Sequence, residues 1–116
     1  MSIENMDLSA VWEEIDRVAN DNPAVIADTS AAYTFEITDR GATYSLLLDD
    51  SKATVQEGAV DDAVATLAMN EKNFKKLLLG NLNATTAFMT GRLKVQGSVG
   101  YALKLEAMLK KLPFQA

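Results

Sequence analysis

At 116 residues, with 48% hydrophobic and 23% charged residues, the chain has the make-up of one ordinary globular domain, which argues against disorder. It contains no cysteine and no histidine, which removes a disulfide framework, thiol chemistry, and the commonest general base and metal ligand together. A net charge of −5 disfavours nucleic acid as the main partner, and the charge is segregated: 14 acidic and 3 basic residues up to Asp62, 2 acidic and 8 basic from Ala63 onward.

Either these halves interleave in space and neutralise one another, or one face of the fold is basic. The start, Met1-Ser2-Ile3-Glu4-Asn5, has neither the basic region nor the apolar run of a secretory signal. No stretch is apolar for long enough to span a bilayer.

Leu8 to Asn20 places Leu8, Val11, Trp12, Ile15, Val18 and Ala19 at three- and four-residue steps, which predicts an amphipathic helix with Asp7 as N-cap and Asn22-Pro23 as its end. Trp12 on that stripe reads as core. Pro23 to Ala27 suits one more helical turn. Tyr33 to Thr38 alternates, with Tyr33, Phe35 and Ile37 on one face and Thr34, Glu36 and Thr38 on the other, the pattern of a half-buried strand. A turn at Asp39-Arg40-Gly41 leads to a second strand, Ala42 to Asp49, and Asp49-Asp50-Ser51-Lys52 to a weaker third, Ala53 to Glu57. Asp49-Asp50 and Asp61-Asp62 lack the spaced oxygen ligands that wrap a hard cation, so they read as solvated turn acids and no metal site is expected. Val64 to Met69 forms a fourth strand, with Ala63, Ala65, Leu67 and Met69 on one face.

Asn70 caps a helix from Glu71 to Leu79, with Phe74, Leu77 and Leu78 as its apolar stripe, Lys72, Lys75 and Lys76 opposite, and Gly80 beyond its end. Those lysines are either a plain solvated face or a docking face for an anionic bilayer. Asn83 caps a short helix, Ala84 to Thr90. Gly91 ends it, Leu93 and Val95 alternate as a fifth strand, and Gly97-Ser98 turns the chain into a final helix, Val99 to Leu112. Gly91, Gly97 and Gly100 lack the spacing of a phosphate loop. The final helix carries Ala102, Leu105, Met108, Leu109 and Leu112 on one side, and Leu103 widens that arc beyond a simple core stripe.

The ordered succession Leu67-Ala68-Met69, Asn73-Phe74, Leu78-Leu79-Gly80-Asn81-Leu82-Asn83, Ala87-Phe88-Met89-Thr90-Gly91-Arg92-Leu93-Lys94-Val95-Gln96-Gly97 and Leu103-Lys104-Leu105 resembles the sterol carrier protein 2 family. The likeness holds from about Tyr33 onward and is best after Ala63. It implies a single α+β domain over residues 1–116: a five-stranded mixed sheet of order 3-2-1-4-5 with helices on one face. It also implies an apolar tunnel for a lipid, with no cofactor and no obligatory chemistry. The final residues, Leu112-Pro113-Phe114-Gln115-Ala116, are not the peroxisomal address some members carry, so a cytoplasmic setting is expected.

The expected ligand is sterol-like, fatty acyl or isoprenoid, held between the final helix, the two middle helices and the sheet. The candidate contacts are Phe74, Leu78, Phe88, Met89, Ala102, Leu103, Leu105, Glu106 and Leu109. Many relatives have glutamine where this chain has Glu106, which either faces the tunnel or forms a solvated pair with Lys110. Lys72, Lys75, Lys76, Arg92 and Lys94 are the candidate membrane-facing residues. No residue is assigned to catalysis or to a metal. The protein is expected to act as a monomer or homodimer. The alternative is an interaction or accessory module of a larger lipid-modifying or biosynthetic assembly.

Overall fold

The computed structural model describes residues 2–115, so the first and last residues of the expected 1–116 domain lie outside the described residues. A 3₁₀ turn at Ile3–Asn5 precedes α1 (Leu8–Asp21), whose cap Asp7 accepts the Ala10 N–H at 2.8 Å. Its stripe of Val11, Trp12, Ile15, Val18 and Ala19 is buried. α2 (Pro23–Ile26) begins with proline, where the missing N–H costs nothing. The strands β1 (Ala31–Ile37), β2 (Ala42–Asp49), β3 (Lys52–Glu57) and β4 (Ala63–Met69) follow, then α3 (Glu71–Leu78), α4 (Ala84–Met89), β5 (Lys94–Gly97) and α5 (Val99–Lys111). Asn70, Asn83 and Ser98 cap the last three helices, accepting the N–H of Asn73, Thr86 and Tyr101 at 2.8, 2.9 and 3.1 Å.

The sheet is mixed and runs in the expected order, β3-β2-β1-β4-β5, with β1 and β4 parallel and every other neighbouring pair antiparallel. β1 starts two residues before Tyr33 because Ala31 and Ala32 still pair with Leu48 and Leu47. The register between β1 and β4 slips at one point: Ala32 faces Ala63, but Tyr33 faces Ala65. Val64 is therefore an extra residue, a bulge, and Ala63 does not continue the face of Ala65, Leu67 and Met69.

The helices cover one face of this sheet. Trp12 of α1 stacks on Tyr44 and Phe74, with ring centroids 4.9 and 5.2 Å apart, and meets Phe35 edge-on at 5.3 Å. One indole thereby joins α1, β1, β2 and α3. On the same face of β1, the Tyr33 hydroxyl donates to the Tyr101 carbonyl of α5 at 3.0 Å, and burial pushes its phenol up to about 12. The opposite face is polar but not wholly open. Thr34, expected to face solvent, is buried with Ser45; their hydroxyls are 3.0 Å apart, and Ser45 donates on to the Gly58 carbonyl at 2.7 Å. The link 58–62 joins β3 to β4 past the two strands between them, and its first carbonyl closes this hydroxyl chain.

β5 ends at Gly97, with φ of +96°. A Cβ there would stand 2.6 Å from the Val64 carbonyl oxygen, the same atom that accepts the Ser98 N–H at 2.9 Å. Gly97→Ala is therefore expected to lower stability by at least about 2 kcal/mol, from left-handed strain and a backbone clash together. Gly41 has φ of +59° but nothing within 4 Å of its missing Cβ. Gly41→Ala should cost only the strain, about 1 kcal/mol, and chemical denaturation of both variants checks the difference.

Candidate functional site

α4, β5 and the first turns of α5 enclose a cleft of about 300 Å³, lined by Ala84, Thr85, Phe88, Met89, Leu93, Val95, Val99, Ala102 and Leu103. Thr85 is the sole polar side chain in that wall. Ala84, Leu93 and Ala102 are buried and form its floor, whereas Phe88, Met89, Val99 and Leu103 at the rim are 44, 80, 44 and 41% exposed. Large apolar side chains gathered in the open are the informative exception on a soluble surface. They arise because α4 spends Ala84 and Ala87 on its buried side, leaving Phe88 and Met89 to continue past the edge of the core.

α4 is only six residues long, too short to persist unaided. Its first turn is held by Asn83 and by Glu106, whose carboxylate accepts the Ala84 N–H at 2.7 Å. Its far end is held by the Ala87 carbonyl, which accepts the N–H of Arg92 at 2.9 Å and of Leu93 at 3.1 Å. Glu106 thus faces neither an apolar tunnel nor open solvent. Its negative charge meets the positive end of the α4 dipole, and Lys110 stands at 3.7 Å from the same oxygen.

Of the candidate contacts, the structure brings Phe88, Met89, Ala102 and Leu103 together at the cleft. Phe74, Leu78, Leu105 and Leu109 are at most 2% exposed and form no part of its wall. Phe74 packs against Trp12 and Phe35, and Leu105 and Leu109, one turn apart on α5, belong to the core cluster. Ala84, Thr85, Leu93, Val95 and Val99 complete the site. Val99 was legible, lying four residues before Leu103 on the same helical strip.

The five candidate membrane-facing bases do not line one groove. Lys75, with a side chain only 13% exposed, donates to the Met6 carbonyl at 2.6 Å and the Glu4 carbonyl at 3.3 Å, and lies 2.9 Å from Glu71. It fastens the N-terminal turn to α3 and is unavailable to a partner. Lys72 and Lys76 line a groove of about 450 Å³ with Glu4, Asp39, Arg40 and Glu71, where acids and bases nearly balance. Arg92 and Lys94 line no part of that groove and flank Leu93 and Val95 of the cleft. Glu71 is the hub of the charged groove: hydrogen bonds from Lys75, then from Arg40 at 2.6 Å, hold its carboxyl below the usual carboxylate range against the opposing effect of burial. Among the described residues no cluster of acidic side chains could hold a metal ion.

The sequence profile of the SCP-2 sterol transfer family matches residues 13–110. Hydroxysteroid dehydrogenase-like protein 2 of Pongo abelii is 33% identical over 108 residues, which make up 90% of this chain and 26% of that protein. The chain thus spans about a quarter of such relatives. Among solved structures, sterol carrier protein 2 from Yarrowia lipolytica in its apo form is 31% identical with a TM-score of 0.68, over 86% of this chain and 87% of that one. The Aedes aegypti sterol carrier protein-2 complex with the C16 fatty acid palmitate shares the fold at 24% identity and a TM-score of 0.69, over 92% and 99% of the two chains.

Glu106→Ala should lower stability by about 1.5–3 kcal/mol, the worth of a hydrogen bond to a charged group, and should speed amide exchange in α4 more than elsewhere. Glu106→Gln, which keeps an acceptor, should cost less. The Glu71 interactions stabilise the fold fully above the ordinary carboxylate pKa and are lost as pH falls through the depressed folded value. The stability gap between wild type and Glu71→Gln should therefore narrow on acidification, which urea denaturation from about pH 7 to about pH 3 measures.

Proposed function

Since the chain belongs to the SCP-2 sterol transfer family, we propose that it binds and carries an apolar lipid in the cleft between α4, β5 and α5. The observation that carries this reading is the cleft wall, which offers one hydroxyl and otherwise only apolar side chains. Burying roughly ten methylenes there yields about 8 kcal/mol gross at ~0.8 each, and the costs of association reduce this to affinities on the order of micromolar. The favourable effect is non-directional, so fatty acyl, sterol-like and isoprenoid ligands are all acceptable. At about 300 Å³ the cleft is small among ligand sites. A long ligand is therefore partly enclosed, with α4 yielding to admit more of it. The palmitate held by the Aedes aegypti protein makes a fatty acid the natural first probe.

On this reading the protein acts without a cofactor or a chemical step, as a monomer in the cytoplasm, and meets anionic membrane transiently to exchange its cargo. A second reading is favoured by relatives in which the matched region is 26% of the whole. In that case the domain serves as an accessory module of a larger protein, and its apolar rim is covered by a partner or a second copy. Native mass spectrometry of freshly purified protein separates the two: a monomer with co-purified lipid supports the carrier, and an empty stable dimer supports the module.

A fluorescent fatty-acid analogue should bind saturably, and Leu103→Asp should weaken it at least about tenfold while costing no more than about 1 kcal/mol of stability, since the side chain lies outside the core and the main cost is helix propensity. Leu105→Ala should do the reverse, costing about 2–5 kcal/mol of stability through a core cavity. No saturable binding, or Leu103→Asp binding as well as wild type, overturns the proposal.

A further inference from the structure

The geometry points to the rim of the cleft, and not the lysine face of α3, as the surface that docks on an anionic bilayer, with Met89 at the leading tip; this rests on the carrier reading above. All the large hydrophobic side chains exposed among the described residues, Phe88, Met89, Val99, Tyr101 and Leu103, stand on α4 and α5, and none is on α3. Insertion into the acyl boundary needs such side chains, and Met89, at 80%, is the most exposed of them. The charge around the rim fits an anionic surface. The stretch from Ala84 to Leu105 carries Arg92, Lys94 and Lys104 and no acidic residue, although the chain as a whole is at −5, and Glu106 just beyond it is taken up by the Ala84 N–H and Lys110. Arg92 and Lys94 are exposed and make no ion pair among the described residues. The lysines of α3, by contrast, share their groove with Glu4, Asp39 and Glu71, which cancel most of their attraction.

A second copy of the chain is the less suitable occupant. A stable dimer buries roughly 800 Å² per partner, whereas the rim offers four exposed apolar side chains flanked by Arg92, Lys94 and Lys104, which a second copy would meet with like charge. A bilayer has no such threshold, because a few inserted side chains and a few cations suffice for transient binding. The docked orientation opens the cleft directly onto the acyl chains, so a ligand moves between membrane and protein without crossing water.

The test is co-sedimentation with phosphatidylcholine vesicles with and without phosphatidylglycerol, at low and high salt. Wild type should partition onto the anionic vesicles and be released by salt. Arg92→Glu/Lys94→Glu should reduce partitioning about tenfold or more while leaving fatty-acid affinity in vesicle-free solution unchanged. Lys72→Glu/Lys76→Glu should leave partitioning within about twofold. In Met89→Trp, brominated acyl chains should quench the new indole, while Trp12, buried in the core, stays silent. The proposal is overturned if the α3 variant loses partitioning as the rim variant does, if neutral vesicles bind equally well, if the new indole is not quenched, or if sedimentation shows a dimer that Met89→Asp dissolves. Failure of the carrier reading appears separately, as absence of fatty-acid binding in solution.

Discussion

The contact on which the rest of the site depends is the passage of Gly97 over the Val64 carbonyl. The bulge at Val64 turns that carbonyl toward the end of β5, where it accepts the Ser98 N–H, and only a residue without a Cβ fits beside it. Ser98 in turn caps α5, so the helix starts at a fixed point relative to β4 and β5. Val99, Ala102 and Leu103 are thereby set over Val95, and one wall of the cleft is positioned by backbone geometry and not by the residues that line it.

The other wall is held differently. Around Trp12 the core is a continuous aromatic cluster, while α4 depends on two buried alanines, an asparagine cap and one carboxylate from α5. Stability is therefore uneven, with a firm body on one side of the cleft and a short helix of few buried contacts on the other. A binding site for ligands of variable shape benefits from that division, because adaptation is confined to one element and costs the body nothing.

Much of this arrangement is legible in the residues. The period of α1, the caps Asp7, Asn70, Asn83 and Ser98, and the alternation of Tyr33, Phe35 and Ile37 are local properties and appear in the structure as the sequence implies. The strand order is not local, and follows only from the family resemblance. What escapes the sequence has a common cause in contacts made far along the chain. A bulge at Val64 leaves no compositional trace, Lys75 bonds to carbonyls about seventy residues away, and Glu106 reaches the start of α4 from another helix. On α5 the width of the apolar arc is visible, but which flank the sheet covers is decided by packing. Leu105 and Leu109 consequently vanish into the core, and Leu103 alone of the three leucines remains at the cleft.

The hydroxyl of Tyr33 ties α5 to the central strand, and it does so as a neutral phenol. Burial raises its folded pKa to about 12, above the ordinary tyrosine value, so the contact contributes fully below the unfolded pKa of about 10 and is lost as pH rises through the folded one. A phenolate could no longer donate to the Tyr101 carbonyl, and its charge would lie in a desolvated space between sheet and helix. Alkali therefore acts on this fold as a wedge beneath its last helix. In a chain without histidine or cysteine, this contact stays formed across the ordinary range of cellular pH and gives way only at an alkaline extreme.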